Sequence, residues 1–276
     1  MTAQFQRLLL ATEHTDFDVG AERVAFELAR RHGLPLAVVV PMVSNPEYEA
    51  AAPQLVARAE RDVADRVAGL RDAAKTAGID IAVRVRRGAE PWREIVAEAT
   101  ARNADLIVVR RRGKRSFLSN LMLGEMVGNV VMHAPCSVLL VPRACELWSK
   151  RVLAGVDGSP GAATVAATAA AIAQGCGLPL TIVGVAVHDT AESRATAEAS
   201  VDAATKIAVA AGAAVGGRVV TGRPHEGIAA VAAEVAADLV VVGRRGETST
   251  LKRLLLGGTA RGVVGLANYP VLVVKI

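Results

Sequence analysis

A glycine-rich segment, residues 243–259, carries the strongest chemical signal in the sequence. It contains Gly243-Arg-Arg-Gly246, ten further residues and then Gly257-Gly258-Thr259. Glycines allow backbone amides to close around an oxyanion, and a helix that starts at the end of such a segment adds the positive end of its dipole. The segment therefore favours a phosphate-binding loop, although not a P-loop, because no Gly-Lys-Ser/Thr follows. A glycine-rich connection that merely turns the chain is the alternative.

Asp157 is the second candidate for chemistry. It ends the apolar run Val152–Val156 and opens the string Asp157-Gly-Ser-Pro160, which is typical of a turn. In an open parallel sheet, ligands bind beyond the carboxyl ends of the strands, at the switch in strand order. Asp157, Val185 near the end of a second strand, and the glycine-rich segment are expected to meet there. The alternative is that Asp157 only shapes a turn or caps a helix.

The sequence argues poorly for an enzyme, since no paired carboxylates and no Ser-His-Asp arrangement stand out. His133 and Cys136 have a ligand-like spacing, but no second pair accompanies them, so no metal site is expected. The basic run Arg110–Arg115 either contacts an anion or forms a solvated loop. Aromatic residues make up only 3% of the chain, which disfavours nucleic acid as a partner.

Composition limits the fold class and the compartment. The chain has 276 residues, of which 52% are apolar, and a net charge of +5. With so few aromatic residues, the core is expected to consist of Ala, Val, Leu and Ile, as in parallel strands covered by helices. Three cysteines without framework spacing exclude a disulfide scaffold and favour the cytoplasm. The uncharged stretch Gly158–Val187 is interrupted by polar, glycine and proline residues, so no membrane span is expected.

An internal duplication organises the chain. Arg7–Glu13 aligns with Arg151–Asp157 at an offset of 144, and Ala104–Arg110 aligns with Ala237–Gly243 at an offset of 133. In each copy, apolar runs alternate with segments of helical periodicity, which predicts a parallel sheet covered by helices. The expected organisation is a first domain at 1–143, a linker at 144–150 and a second domain at 151–276.

The expected elements follow the same order in both copies. In the first copy we expect strands at 7–12, 36–40, 79–86, 105–109 and 137–141, and helices at 19–32, 53–77 and 92–102. In the second copy we expect strands at 152–156, 180–187, 218–220, 239–242 and 271–274, and helices at 162–174, 191–211 and 225–236.

Taken together, in order and twice, these features resemble tandem domains of the universal stress protein family. The residues that carry the resemblance are Val152–Pro160, Asp238–Gly246, Leu251–Gly257 and His133–Cys136. The segment Pro41–Glu49 is similar to the UspE-like tandem type. The resemblance implies two tandem doubly wound, five-stranded parallel-sheet domains of the adenine-nucleotide α-hydrolase-like, Rossmann-like class. It also implies that the two are paired by pseudo-two-fold symmetry through their last strands, with a homodimer as a further option.

The resemblance also implies a function. It points to a stress-response sensor or adaptor that binds ATP, with magnesium, or another adenine nucleotide in the second domain, and that acts on an unidentified protein partner. Asp157 would contact the base, and the glycine-rich loop would hold the phosphates. The implied binding residues are Asp157, Val185, Val242, Gly243, Arg245, Gly246, Gly257, Gly258 and Thr259.

The two copies depart from the family's loop to different degrees. The family pattern is Gly, two residues, Gly, nine residues and Gly-Ser/Thr. The second copy has one residue too many, and Gly258 stands in the hydroxyl position, so that only Thr259 could supply a hydroxyl. In the first copy, Arg110 replaces the first glycine and is expected to add backbone strain. Glu125 stands in the hydroxyl position, where its charge would repel phosphate.

We therefore expect nucleotide binding in the second copy and not in the first. Two alternatives stay open. The protein could be a nucleotide-independent interaction scaffold in which both loops are degenerate, or a weak ATP hydrolase.

Overall fold

The computed structural model describes residues 4–111, 125–244 and 257–276. These residues form two compact units, a first half that ends at Leu147 and a second half that begins at Trp148. Each half contains one copy of the duplication. Among the helices that the structure describes, none is both long enough and apolar enough to cross a membrane.

The first half contains five strands and five helices within its described residues. They are β1 (Leu8–Ala11), α1 (Val19–His32), β2 (Leu36–Val43), α2 (Pro46–Ala51), α3 (Pro53–Thr76), β3 (Ile81–Gly88), α4 (Pro91–Ala101), β4 (Leu106–Arg110), α5 (Glu125–His133) and β5 (Ser137–Val141).

The second half repeats this order, without a counterpart of α2 among its described residues. Its elements are β6 (Val152–Val156), α6 (Ala162–Cys176), β7 (Leu180–Ala186), α7 (Ala191–Ala210), β8 (Val215–Thr221), α8 (Pro224–Glu234), β9 (Leu239–Gly243), α9 (Gly258–Leu266) and β10 (Val271–Val274).

Both halves have the same sheet topology. The strand order is β3-β2-β1-β4-β5 in the first half and β8-β7-β6-β9-β10 in the second, and the strands within each half are parallel. The order reverses between β1 and β4 and between β6 and β9. The expected α/β class and the two doubly wound five-stranded sheets are therefore confirmed, whereas the pairing of β5 with β10 stays a prediction.

The central strands are apolar runs because helices cover them on both faces. Every residue of β1 and β4 is buried, and so are most residues of β6 and β9. Such strands contribute roughly 25 cal/mol for each Å² of apolar surface removed from water. The helix ends are also encoded locally, since Gly33 and Gly177 adopt the left-handed conformation at φ +62° and +67° and terminate α1 and α6.

Two features differ from the sequence-based expectation. The short helices α2, α5 and α9, with six, nine and nine residues, are too brief to show periodicity, and no bounds were predicted for them, although helix starts were expected at Glu125 and after Gly257. In α3, Val56, Val63, Val67 and Leu70 are spaced to lie on one face, but Val67 and Leu70 are buried whereas Val56 and Val63 are only half-buried. The first half of this helix therefore packs less closely, although its Glu60 accepts a hydrogen bond from Arg87 of β3 at 2.6 Å.

Candidate functional site

The candidate site of the second half lies at the carboxyl ends of β6 and β9. Asp157 follows the last residue of β6, and Gly243 is the last residue of β9. These two strands are hydrogen-bonded neighbours on either side of the switch in strand order. The topology therefore brings Asp157 and Gly243 together at the place where open parallel sheets bind ligands.

Asp157 shapes the loop that follows β6. Its Oδ1 accepts a hydrogen bond from the backbone N–H of Ser159 at 3.1 Å and another from the Ser159 hydroxyl. This is the turn geometry that Asp-Gly-Ser-Pro predicted. The side chain does not cap α6, whose N-cap residue is Gly161. Asp157 is half-buried, so a turn that it stabilises also presents a carboxylate at the edge of the sheet.

The end of the glycine-rich segment is the start of α9. Gly257 is the N-cap, and its N–H donates to the carbonyl of Arg244 at 3.1 Å. The helix begins with the bond from the N–H of Arg261 to the carbonyl of Gly257 at 3.0 Å. The amides of the first turn, including those of Gly258 and Thr259, have no acceptor within the helix and point along its positive end. A Cβ at Gly258 would meet no atom within 4 Å, so the backbone there is open.

The remaining predicted residues contribute less. The side chain of Val242 is buried beside the place where a Cβ at Gly155 would lie, so it belongs to the core and only its backbone reaches the edge. Val185 is half-buried near Gly227 in α8. Arg245 and Gly246 lie outside the described residues.

Arg244 was not singled out in the sequence, although it directly follows Gly243. It is 7% exposed, which is rare for an arginine. Its backbone N–H donates to the carbonyl of Val274 at 3.0 Å. The one feature of the sequence that could have indicated a role for Arg244 is its position directly after a strand, in a glycine-rich loop.

The same place in the first half is filled by charged side chains. Arg110, the last residue of β4, is 8% exposed. Its guanidinium donates to Asp18 Oδ2 at 3.0 Å, Glu13 Oε2 at 3.1 Å and Thr15 Oγ1 at 3.2 Å. We call these four residues the Arg110 cluster. It ties the end of β4 to the loop between β1 and α1.

The expected strain at Arg110 is wrong. Arg110 lies in an extended strand and is not among the residues with positive φ, whereas His14 in the neighbouring loop is, at +51°. Glu125 is exposed at the start of α5, so an acidic group does stand at that helix start. The charge of Arg110 is directed towards Glu13 and Asp18 rather than towards Glu125.

The structure offers little for catalysis or metal binding. Within the described ranges, no group of three or more His, Cys, Asp or Glu side chains is placed to hold a metal ion. None of the three cysteines forms a disulfide. Burial raises the pKa of the Cys145 thiol, although Arg111 and Arg23 oppose it. A raised pKa keeps this thiol protonated and unreactive.

Comparison with known proteins agrees with this architecture. The model of the universal stress protein family matches residues 4–142 and 149–275. The chain belongs to the universal stress protein family. It contains two family domains in tandem, and the resemblance inferred from the sequence is confirmed.

Two curated family members match in sequence. A universal stress protein of Methanocaldococcus jannaschii is 42% identical over 57 residues, which are 21% of this chain and 35% of that protein, so the match spans about a third of the relative. A universal stress protein of Thermus aquaticus is 33% identical over 143 residues, which are 50% of this chain and 98% of that protein.

Solved structures match in fold. A universal stress protein from Archaeoglobus fulgidus superimposes with a TM-score of 0.78 at 20% identity, covering 99% of this chain and 96% of that one. Shorter family members have been solved with adenine nucleotides. One in complex with cAMP is 30% identical over 46% of this chain and 96% of its own, with a TM-score of 0.39. One from Archaeoglobus fulgidus in complex with dAMP is 26% identical over the same shares, with a TM-score of 0.38.

Proposed function

We propose that this universal stress protein is a cytoplasmic sensor or adaptor that binds one adenine nucleotide per chain, in its second half. The observation that carries the proposal is the meeting of Asp157 and Gly243 at the switch in strand order, with the open start of α9 anchored beside them. The ligand class is the one with which two family members were solved.

Each residue has a distinct role in this proposal. Asp157 accepts hydrogen bonds from the adenine or ribose. Gly243 has no side chain and leaves room beside Asp157. The first-turn amides of α9, at Gly258 and Thr259, donate to phosphate oxygens, where the helix dipole favours negative charge. Arg245 and Gly246 complete the loop as implied by the family pattern.

The described residues fit a nucleotide better than they fit a metal. A helix start with free amides and an uncrowded Gly258 suits an anion. Among the described residues, Asp157 is the carboxylate that directly follows a strand at this edge, so magnesium would arrive with the phosphates of ATP and take its other ligands from water and the Thr259 hydroxyl. The protein recognises the charge and the shape of the nucleotide. The nucleotide-bound form of the protein then signals to a partner.

Calorimetric titration of the full chain with ATP and with AMP, with and without magnesium, tests the proposal. The expected stoichiometry is one nucleotide per chain. Asp157→Asn is expected to weaken binding at least tenfold, because a charged hydrogen-bond acceptor is worth about 1.5–3 kcal/mol. The matched variant Glu13→Gln, at the equivalent position of the first half, is expected to leave the affinity within twofold.

The other outcomes favour different functions. No binding of the wild type at millimolar ATP with magnesium rejects the proposal in favour of a nucleotide-independent scaffold, which Gly258 in the hydroxyl position and the longer loop support. Loss of nucleotide binding in Glu13→Gln but not in Asp157→Asn would show that the site lies in the first half instead. Steady release of ADP by the wild type indicates a weak hydrolase.

A further inference from the structure

The Arg110 cluster is a closed ionic unit. Asp18 is 1% exposed, and its Oδ2 accepts from the guanidinium of Arg110 and also from the backbone N–H and the hydroxyl of Thr15, at 3.0 and 2.6 Å. Glu13 binds the other terminal nitrogen of the same guanidinium. A buried carboxylate is tolerated only with such compensation, because desolvation of an unpaired charge is costly.

A second polar layer holds the same loop in place. Thr12 Oγ1 donates to Glu22 Oε1 at 2.6 Å and accepts from the N–H of His14 at 2.9 Å. The Nδ1 of His14 lies 3.1 Å from both carboxylate oxygens of Glu22. These bonds position the loop between β1 and α1 so that Glu13 and Asp18 face Arg110.

The positions occupied by this cluster have direct counterparts in the second half. Leu8 and Leu106 are paired in the first sheet as Val152 and Leu239 are in the second, so Glu13 corresponds to Asp157 and Arg110 to Gly243. The backbone also continues alike, since the N–H of the residue after Arg110 donates to Val141 as that of Arg244 donates to Val274. The two edges therefore differ mainly in their side chains.

We propose that Arg110 is a built-in cation that fills the first-half site in place of an external ligand, and that the residue at this position decides which half is open. In the first half the guanidinium neutralises Glu13, the counterpart of the ligand-binding Asp157, and closes the space beside it. In the second half Gly243 leaves that space free. That Arg110 neutralises Glu13 and Asp18 rests on the contacts alone, whereas its replacement of a ligand and the open space at Gly243 rest on the proposed function.

Thermal unfolding of the full chain without nucleotide tests the first statement. Arg110→Ala is expected to lower the midpoint of the first-half transition by about 10 °C, because it leaves a buried carboxylate unpaired. Arg110→Ala combined with Asp18→Asn is expected to recover a large part of that loss, since the neutral amide no longer needs a cation. If Arg110→Ala fails to fold, recovery of folding in the double variant supports the statement, and its absence contradicts it. An unchanged midpoint in Arg110→Ala also overturns it.

Transplanting the arginine tests the second statement. Gly243→Arg is expected to weaken AMP and ATP binding by about 100-fold, because the new guanidinium pairs with Asp157 and fills the space beside it. Gly243→Ala is the matched control and is expected to stay within about threefold, since Gly243 lies in a strand without positive φ. The unfolding midpoint of both variants should match the wild type.

The outcomes separate the two ideas. Wild-type affinity in Gly243→Arg shows that this position does not control access and overturns the second statement. Absence of binding in the wild type rejects the proposed function together with the second statement, and the stability of the Arg110 variants still decides the first.

Discussion

The two halves of the chain share one backbone plan but fill its critical places with opposite chemistry. At the switch in strand order, the first half contains a buried arginine with two carboxylates, and the second contains a glycine beside a single aspartate. The sheet register is the same in both. The two halves therefore keep one fold with different side chains at the switch in strand order, because the strand register does not depend on those side chains.

A similar contrast recurs between the third strand and the third large helix of each half. In the first half, the fully buried Glu98 of α4 accepts from Arg86 at 3.0 Å and Arg102 at 2.9 Å, and Arg84 lies 3.6 Å away. The counterpart of Glu98 in α8 is Val231, also buried. The first half has a buried ionic network at this contact, whereas the second half has a buried valine and an exposed ion pair, between Arg218 and Glu234.

Substitution of Glu98 should have the largest effect on stability. Glu98→Ala deletes the charged acceptor of Arg86 and Arg102 and empties the space of a fully buried side chain. It is expected to reduce the free energy of unfolding by about 3–5 kcal/mol. The counterpart Val231→Ala only deletes apolar contacts and should reduce it by about 2 kcal/mol. Urea denaturation of the full chain measures both. Equal losses would show that the ionic network adds nothing beyond packing.

The ionic network should also make the first half sensitive to acid. Burial, the largest influence, raises the pKa of Glu98, but hydrogen bonds from Arg102 and Arg86 outweigh it and hold the pKa below its ordinary value of 4.5. A folded-state pKa below the unfolded value gives stability that is present above about pH 4.5 and is lost as pH falls through the folded value. The stability difference between wild type and Glu98→Gln, measured in urea, should therefore shrink from pH 7 to pH 3. A constant difference would contradict this.

The contact between α8 and α9 in the second half also differs from the corresponding contact in the first half. A Cβ at Gly262 would lie 2.4 Å from Cγ and 2.6 Å from Cβ of His225, so the two helices touch through a residue without a side chain. In the first half the corresponding residues are Asn129 and Trp92, and Trp92 stacks on His133 at 4.6 Å between ring centroids. Gly262→Ala is expected to cost about 2–3 kcal/mol in thermal or urea unfolding.

Gly216→Ala is the control for this substitution. A Cβ there would meet no atom within 4 Å, and Gly216 does not have positive φ. Its effect should be neutral or slightly stabilising, because alanine restricts the unfolded chain. A loss in Gly216→Ala as large as in Gly262→Ala would mean that the helix contact is not the cause.

An aspartate repeated in both halves anchors the chain that enters each first strand. Asp238 accepts from the backbone N–H groups of Ser149, Lys150 and Arg151 at 2.7, 2.9 and 3.0 Å. Among the described residues, Asp105 accepts from the backbone N–H groups of Gln6 and Arg7, at 2.8 and 2.9 Å. At about 1 kcal/mol for each bond, Asp238→Ala should cost about 3 kcal/mol and Asp105→Ala about 2. Unfolding in urea tests whether Asp238→Ala costs more stability than Asp105→Ala. The opposite result would show that the number of hydrogen bonds does not determine the loss.

The exposed start of α3 predicts the smallest effect, one on local motion. No residue of segment 53–66 is buried, whereas the rest of α3 buries Val67, Leu70 and Ala74, as the matching part of α7 buries Val201, Ala204 and Ala208. Helix stability comes mainly from packing, so amides in 57–66 should exchange with deuterium at least tenfold faster than those in 67–74 and in 201–208. Equal protection would indicate that something covers α3 in solution.

The sequence alone predicted most of the strands and large helices. The strands Ser137–Val141, Val152–Val156 and Val271–Val274 and the helix Val19–His32 agree with the predicted bounds. They were predictable because a buried parallel strand is a short apolar run and a helix shows its own periodicity and caps. Helix α3 shows what the periodicity does not predict. Its apolar face extends over the whole helix, but only the second half of that face is buried.

The residues of the candidate site were partly predictable for the same reason. Asp157 and Gly243 end apolar runs, and parallel topology places all such ends at one edge. Arg244 and Asp18 were missed, because nothing local distinguishes a charged residue that will be buried from one that will be solvated.

The amino-acid sequence by itself determined the duplication, the α/β class and the edge at which each site lies, since these depend on local pattern and on order along the chain. Only the tertiary structure decided where the charges go. Arg110 meets Asp18 and Glu13 across 92 and 97 residues, and Glu98 is buried because α4 packs its acidic face against the arginines of β3. A charge is placed by its partners in space, and the interactions that compensate its burial do not exist until the strands and helices have come together.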